Sequence, residues 1–368
     1  MPRPIKALIR SDALAHNLQV ARRSAGGARI WAVVKANAYG HGLERAVRAL
    51  GSADGFAVLD LADALRIRMA CPGRPVLLLE GFFGAGELAL LLEHSITPVI
   101  HSPEQILLLE RARAEGAAKR RIEVYLKVNS GMNRLGFSGE GASAAYRALA
   151  AQACVRSIVL MTHFSDADGE TGVATQLAGF SRDTAGLPGL RSLANSAALL
   201  RFAEARADWV RPGIMLYGGS PFAGRTAQEI GLRPAMHLTT ELIAVQSLAP
   251  GDGVGYGQNY KAAHAMRIGI AACGYADGYP RHAPNGTPVL VCGKRTGTVG
   301  RVSMDMMSID LSGIPEARVG SEVTLWGDGL AADEVAAAAG TVSYELFCAL
   351  AQRVPVIETG GAIGEASN

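Results

Sequence analysis

Through its first two thirds, the sequence alternates short apolar segments with alanine- and leucine-rich segments of helical period. The apolar segments predict strands at residues 29–35, 55–59, 75–79, 97–101, 122–129, 156–163, 190–194 and 209–217. The intervening segments predict helices at residues 42–50, 62–70, 87–94, 103–116, 141–152 and 196–205, after a first helix at 11–23 with Ser11 or Asp12 as its N-cap. Because parallel strands need crossover helices, this order predicts an α/β fold, a (β/α)8 TIM-like barrel. A doubly wound open sheet would alternate in the same way and stays an alternative.

After about Pro234 the pattern changes, since glycine and valine become more frequent and helical periodicity nearly vanishes until residues 331–339. Strand-like segments separated by turn residues lie at 238–248, 266–272, 288–291, 297–299, 307–311 and 322–325. We therefore predict two domains, a barrel at residues 1–232 and a C-terminal, mainly antiparallel β domain at residues 233–368.

Composition narrows the class of protein. Of the 368 residues, 49% are hydrophobic and 19% charged, and the net charge of +3 gives no reason to expect a nucleic-acid partner. No apolar stretch approaches the roughly 18 residues of a membrane span, and the N-terminus lacks the apolar core of a secretory signal. Five dispersed cysteines without CxxC spacing are typical of reduced thiols. We expect a soluble cytoplasmic protein without a membrane partner.

Polar residues that end the predicted strands are the candidates for chemistry, because barrel active sites lie at the C-terminal ends of the strands. Lys35 ends the first strand with no carboxylate beside it in sequence. Desolvation there would lower the pKa of its amine, the condition for a nucleophile that forms a Schiff base. A lysine reaching from a strand end to solvent is the alternative.

Other strand ends supply a cation, an imidazole and a hydroxyl. Arg134 follows the fifth strand and His163 ends the sixth, while Asn195 and Ser196 follow the seventh. The segment 211–214 follows the eighth strand, where barrels commonly hold a phosphate on backbone N–H groups. Each residue alone has a structural explanation, but their shared position predicts one site.

Nine stretches of the chain resemble the alanine racemase family, in the family's order and in both predicted domains. The stretch 33–42, Val-Val-Lys-Ala-Asn-Ala-Tyr-Gly-His-Gly, is similar to that family's cofactor-attachment signature over its full length. The others are residues 130–137, 194–196, 211–217, 253–257, 274–281, 300–305, 344–345 and 353–355. The resemblance implies a racemase that interconverts L-alanine and D-alanine, with pyridoxal 5′-phosphate as its cofactor.

The resemblance also implies residue roles. Lys35 would carry the cofactor and exchange the Cα proton on one face, and Tyr256 from the partner subunit of a homodimer would act on the opposite face. Racemisation needs a proton acceptor on each face of a planar carbon, so two bases are expected. The implied cofactor-binding residues are Lys35, Tyr39, Arg134, His163, Asn195, Ser196, Arg211, Gly213, Ile214 and Tyr344.

Arg134 and the partner's Met304 would lie near the substrate carboxylate, and Lys127, carbamylated in many relatives, would steady Arg134. His163 would link Tyr256 to Arg211. Arg211 would face the pyridine nitrogen, where a guanidinium cannot donate the proton that makes the ring a strong electron sink.

The sequence departs from common family patterns at three positions: Ser303 replaces a frequent cysteine, Met306 a frequent glutamine, and Asn129 an occasional aspartate. Because the first two positions lie near the implied substrate carboxylate, a broader small amino-acid racemase that accepts serine stays an alternative. The pattern leaves open whether D-alanine is supplied for peptidoglycan or broken down.

Three other functions fit the residues less well. A non-catalytic pyridoxal-phosphate carrier would be a single domain. A fold-related amino-acid decarboxylase would have a glutamate where Arg211 stands. A metallohydrolase barrel would need a His-x-His pair on the first strand, and the segment 33–42 has only His41, so no metal is expected.

Overall fold

The computed structural model describes residues 3–114 and 121–360. Its strands are β1 (Lys6–Arg10), β2 (Arg29–Val33), β3 (Gly55–Val58), β4 (Val76–Leu78), β5 (Thr97–Ile100), β6 (Ile122–Lys127), β7 (Val155–Met161), β8 (Arg191–Ser192), β9 (Trp209–Val210), β10 (Met236–Leu248), β11 (Gly253–Val254), β12 (Tyr260–Lys261), β13 (Met266–Ala271), β14 (Pro288–Val291), β15 (Lys294–Val299), β16 (Met307–Asp310), β17 (Glu322–Trp326) and β18 (Val356–Thr359). Its helices are α1 (Ser11–Ala25), α2 (Lys35–Tyr39), α3 (Leu43–Ala49), α4 (Leu61–Ala70), α5 (Ala85–His94), α6 (Pro103–Ala114), α7 (Glu140–Ala150), α8 (Ala174–Asp183), α9 (Ser196–Arg201), α10 (Ala332–Ala338) and α11 (Ser343–Cys348). Within the described ranges, no helix is both long and apolar enough to cross a bilayer.

Strands β2 to β9 run parallel and close into an eight-stranded barrel. The closing pair is β2 and β9, in the register Arg29↔Trp209 and Ile30↔Val210. In a doubly wound open sheet the two end strands would stay unpaired. The barrel prediction is therefore confirmed, and the open-sheet alternative is wrong.

The last two barrel strands are shorter than the apolar segments that predicted them. Strand β9 ends at Val210, whereas the predicted strand ran to residue 217. Pro212 lacks a backbone N–H, and residues Ile214–Tyr217 form a buried 3-10 turn. A run of apolar residues can therefore form a buried turn at the barrel mouth as well as a strand.

The first helix begins without the predicted side-chain cap. Its N-cap is Arg10, and Ser11 is already helical. The Ser11 hydroxyl donates instead to Glu358 Oε1 at 2.7 Å, and Asp12 accepts from Arg10 at 3.1 Å. Both predicted caps are wrong, because Glu358 engages the Ser11 hydroxyl and Arg10 engages the Asp12 carboxylate.

The second sheet has the strand order β13-β16-β15-β14-β17-β10-β1-β18, with a further pairing between β13 and β10. It is mainly antiparallel, which confirms the predicted class of the C-terminal part. Strand β1 also belongs to this sheet, where it pairs antiparallel with β10 and parallel with β18. The division at residues 232/233 stays a prediction. Residues 1–2 and 361–368 of the two predicted domains, and residues 115 and 116 of the predicted helix 103–116, lie outside the described residues.

A layer of aromatic side chains fills the barrel interior. The ring of Trp31 stacks on that of Trp209 at 4.4 Å, and its Nε1–H donates to the hydroxyl of Tyr125 at 2.9 Å. Gly55 lies on the neighbouring strand, where a Cβ would collide with the Trp31 ring. The glycine therefore makes room for a large ring inside a closed barrel.

We predict that Tyr125→Phe lowers the free energy of unfolding by about 1–3 kcal/mol, because the buried Trp31 N–H loses its acceptor. Urea denaturation measures the loss. Tyr146→Phe, the same change at a half-buried tyrosine of α7, is the matched control. Equal losses in the two variants would contradict the assignment.

Candidate active site

One large cavity opens at the C-terminal ends of the barrel strands and has a volume of about 880 Å³. Its walls include eleven of the predicted site residues: Lys35, Tyr39, Lys127, Arg134, His163, Asn195, Ser196, Arg211, Gly213, Ile214 and Tyr344. The first ten come from the barrel, and Tyr344 comes from α11 of the C-terminal part. The structure therefore brings the predicted strand-end residues together, while their individual roles remain predictions.

The backbone directly after Lys35 is left-handed. Four consecutive residues without a glycine, Ala36 to Tyr39, have φ between 51° and 54°. For L-residues this conformation costs about 1–2 kcal/mol each, so it persists only where the surroundings hold it. Gly40 follows at φ 77°, and a Cβ there would collide with the carbonyl oxygen of Phe347. The turn is thus packed directly against α11.

The amine of Lys35 is half-buried at the cavity wall. Burial lowers the pKa of Lys35, the nearby cation of Arg134 lowers it further, and Glu80 partly opposes both effects. A lowered pKa increases the fraction of neutral amine near neutral pH. Lys35 therefore has the character of a nucleophile and a proton acceptor.

Arg211 is 4% exposed and ties the ends of two neighbouring strands to its own. Its guanidinium donates to Ser192 Oγ at 2.7 Å, to the Thr162 carbonyl at 2.5 Å and to the Leu193 carbonyl at 3.1 Å. Burial lowers the pKa of Arg211 to about 10, so the side chain stays charged at neutral pH. The cation is held by carbonyl and hydroxyl dipoles.

The ring of His163 lies beside this arginine, with Nδ1 3.4 Å from Arg211 Nη2. Because a guanidinium can only donate, Nδ1 is the acceptor and the ring hydrogen is on Nε2. Burial lowers the pKa of His163 well below its usual value, and the cations of Arg211 and Lys127 lower it further. The imidazole is therefore neutral and presents an N–H donor.

Ser196, Gly213 and Tyr39 form one side of the cavity. The backbone N–H of Gly213 donates to Ser196 Oγ at 2.9 Å, and Asn195 caps α9 by accepting from Ala198 N at 3.0 Å. A Cβ on Gly213 would lie only 2.5 Å from the Tyr39 hydroxyl, so glycine is required for the close approach. Hydroxyls and a helix start gathered around a glycine suit a phosphate group.

Lys127 faces positive charge. Burial lowers the pKa of Lys127 well below its usual value, and the cations of Arg211, Arg134 and Lys35 lower it further. Beside it lies a small recess lined by Asn129, Ser130 and Arg134. In the described chain no carboxylate contributes to this shift, so the site accommodates Lys127 best as a neutral amine.

Tyr256 and Met304 do not line the cavity within the described part of this single chain. Their side chains are 71% and 52% exposed. Met304 is nonetheless fixed, because its carbonyl accepts from Ala276 N at 2.9 Å. Tyr256 lies between Gly255 and Gly257, which pack near Arg301. Both residues are therefore exposed on the surface of the C-terminal part.

Sequence reasoning missed Cys348, which lines the cavity near Lys35. It was grouped with the dispersed thiols, yet it lies four residues after Tyr344 on α11 and thus on the same helix face. That spacing was the available signal.

Comparisons with known proteins point to one family. Residues 9–221 match the alanine racemase N-terminal domain, and residues 235–358 match the alanine racemase C-terminal domain. The alanine racemase of Ralstonia pickettii is 55% identical, over 97% of this chain and 96% of that protein, and that of Thiobacillus denitrificans is 58% identical over the same shares.

Solved structures agree with this match. A biosynthetic alanine racemase from Pseudomonas aeruginosa superposes with a TM-score of 0.94 at 46% identity, covering 97% of this chain and 99% of that one. An alanine racemase from Bartonella henselae with covalently bound pyridoxal phosphate has a TM-score of 0.88 at 25% identity, covering 97% and 100%.

We predict that Arg211→Met lowers the free energy of unfolding by at least about 2 kcal/mol, because two buried carbonyls and a hydroxyl lose their donor. Arg201→Met is the control, since Arg201 is exposed and donates to the Gly169 carbonyl at 2.7 Å. A urea denaturation series measures both. A loss for Arg211→Met no larger than that of the control would contradict the anchoring role.

Proposed function

Because the chain belongs to the alanine racemase family, we propose that the barrel-mouth cavity holds the cofactor on Lys35 and that Lys35 and Tyr256 exchange the α-proton of alanine. The chain's activity is the interconversion of L-alanine and D-alanine, and its cofactor is pyridoxal 5′-phosphate. The observation that carries the residue assignment is the convergence of Lys35 with cationic, imidazole and hydroxyl groups in one cavity.

The residues present fit the cofactor. The space beside Gly213, which a Cβ would fill, adjoins the hydroxyl groups of Tyr39 and Ser196. Tyr39, Ser196, Gly213, Ile214 and Tyr344 would hold the phosphate, with Asn195 fixing the start of α9. When bound, pyridoxal phosphate supplies an electron-withdrawing system that stabilises negative charge at the substrate Cα.

Arg211 would face the ring nitrogen. Its guanidinium can only donate and stays charged at neutral pH, so it would orient that nitrogen without transferring a proton to it. A decarboxylase-like site would need an acidic group here. The buried arginine therefore favours a site that limits charge delocalisation into the ring, which suits proton exchange at Cα.

Proton exchange on two faces needs two groups. Lys35, with its lowered pKa, accepts or returns the proton on its own face. Tyr256 would act on the other face, and His163 would orient it through the Nε2–H that remains after Nδ1 accepts from Arg211. Arg134 and Met304 would contact the substrate carboxylate.

The proposed assembly is a homodimer in which each cavity is completed by the partner subunit. The exposure of Tyr256 and Met304 supports it, because both lie outside the cavity of their own chain. With Tyr256, Met304 and Tyr344 around Cα, a methyl side chain would fit best. Added atoms cost about 1–3 kcal/mol of discrimination in such pockets, so slow turnover of serine is expected.

We further propose that Lys127 is carbamylated. A neutral amine adds to CO2, forms an N–C bond and releases a proton, which leaves a carbamate anion. This anion would lie among the cations that now lower the pKa of Lys127, and would steady Arg134. The recess beside Lys127 and Arg134 supports the proposal.

We propose a cytoplasmic enzyme whose D-alanine is used for peptidoglycan. The similarity to an enzyme described as biosynthetic supports this role over breakdown of D-alanine.

Mixing two inactive variants tests the shared site. Lys35→Ala and Tyr256→Ala chains should each be nearly inactive, and their hybrid dimers should regain one intact site of two. Random pairing of equal amounts then restores about a quarter of parental racemase activity. Lys35→Ala mixed with the Lys35→Ala/Tyr256→Ala double variant is the control and should stay inactive. No recovery despite demonstrated chain exchange would remove the shared-site proposal.

Carbon-13 spectra test the carbamate. Protein in ¹³C-bicarbonate should show a carbamate resonance that is absent from Lys127→Gln. Lys294→Gln, which changes an exposed lysine paired with Glu316 at 2.6 Å, should retain the resonance. Identical spectra for the parent and Lys127→Gln would exclude carbamylation of Lys127.

A further inference from the structure

His41 lies outside the cavity within the described residues, yet its ring is completely buried between two aromatic side chains. Its centroid is 4.7 Å from that of Tyr217 and 5.1 Å from that of Phe347. Its Nδ1 lies 2.8 Å from the carbonyl oxygen of Tyr39. A polar ring in such surroundings needs a hydrogen bond, and Nδ1 makes one to this carbonyl.

The direction of that bond follows from chemistry. A carbonyl oxygen can only accept, so Nδ1 carries the ring hydrogen and donates it. Nε2 has no hydrogen-bond partner among the described residues, as expected for the unprotonated nitrogen. Burial lowers the pKa of His41 to about 4, so the ring is neutral at physiological pH.

The carbonyl that accepts from His41 belongs to Tyr39, the last residue of the left-handed turn Ala36 to Tyr39. The turn needs external support because its four residues have an unfavourable φ. Gly42 N donates to the Asn37 carbonyl at 2.9 Å, and Leu43 N donates to the Asn37 side chain at 2.9 Å. These bonds hold the middle of the turn, and the His41 side chain holds its last residue.

The two ends of this turn are the two anchors of the proposed cofactor site. Lys35 begins it, and Tyr39 ends it with its hydroxyl against Gly213 and its ring stacked on Tyr217 at 4.6 Å. The turn's conformation thus sets the separation between the Lys35 amine and the phosphate cradle, by which we mean the residues that would hold the phosphate: Tyr39, Ser196, Gly213, Ile214 and Tyr344. A turn that relaxed toward right-handed geometry would change that separation.

We propose that His41 is a positioning residue which, by donating to the Tyr39 carbonyl, fixes the span between Lys35 and the phosphate cradle. The proposal rests on the proposed function, because it takes both ends of the turn as cofactor anchors. His41 touches neither cofactor nor substrate and acts through Lys35 and Tyr39. The same ring packs against Phe347 of α11, so the helix that carries Tyr344 is fixed relative to the same turn.

Two variants of similar branched shape separate the hydrogen bond from packing. In His41→Asn the side-chain amide places an N–H where Nδ1 was, whereas His41→Leu has the same number of side-chain non-hydrogen atoms and no donor. We expect the dissociation constant for pyridoxal phosphate to rise about tenfold in His41→Leu, the loss expected for one buried hydrogen bond. In His41→Asn it should stay within about threefold of the parent. The absorption spectrum of the bound cofactor should shift in the leucine variant, and kcat should fall more than KM for alanine changes.

Thermal stability distinguishes this role from a structural one. A buried leucine is tolerated better than a buried asparagine, so His41→Leu should melt no lower than His41→Asn while binding the cofactor more weakly. His41→Phe fills the ring volume without a donor and should behave like His41→Leu if the smaller variants do not fold. Parental cofactor affinity in His41→Leu and His41→Phe, or affinity that tracks melting temperature across the series, would overturn the proposal.

A separate measurement on the parent protein tests the proposed function, on which this inference rests. Borohydride reduction followed by peptide mapping should place the cofactor mass on the peptide that contains Lys35. A parent without that adduct would remove the proposed function itself. If the parent carries the adduct but the His41 variants bind the cofactor as the parent does, only the positioning role of His41 is contradicted.

Discussion

The pairing of β2 with β9 is the constraint on which the site depends. Only two residues of each strand make the closing contact, Arg29 with Trp209 and Ile30 with Val210. Closure turns a row of strand ends into a ring, so side chains far apart in sequence face a common space. The stacked rings of Trp31 and Trp209 fill the interior below. The polar groups are thereby confined to the mouth.

Basic side chains outnumber acidic ones in the lining of the mouth. Lys35, Lys127, Arg134 and Arg211 all line it, and the shifts in the pKa of Lys35, Lys127 and His163 share burial as their first cause. A cavity of this kind suits ligands that bring anions, such as a phosphate and a carboxylate. Burial also favours the neutral forms of its lysines and histidine by lowering the pKa of each, and the neutral forms can accept a proton. Binding and proton exchange therefore draw on the same electrostatic arrangement.

Periodicity predicted the barrel because each strand and helix has its own local pattern of apolar residues. The polar residues at the strand ends predicted the candidate site because the barrel topology places those ends together. Other features have no such signal. Ala36, Ala38 and Tyr39 take a left-handed conformation that their side chains do not favour, so packing against Phe347 and His41 imposes it. The strand expected to reach residue 217 ends at Val210, since apolar residues serve a buried turn equally well. Tyr256 is exposed and lies outside the cavity of its own chain, so its proposed role depends on contacts that one chain does not contain.

The placement of β1 bears on how the chain reaches its folded state. The first strand, Lys6–Arg10, pairs with β10 and with β18, whose residues end at Thr359. Strand β1 can have both of its edges covered only when β10 and β18, which lie far from it in the sequence, have formed. The long-range pairing joins the first and last described strands in one sheet. Until β10 and β18 are in place, the edges of β1 carry unpaired backbone N–H and C=O groups, which could pair with another chain.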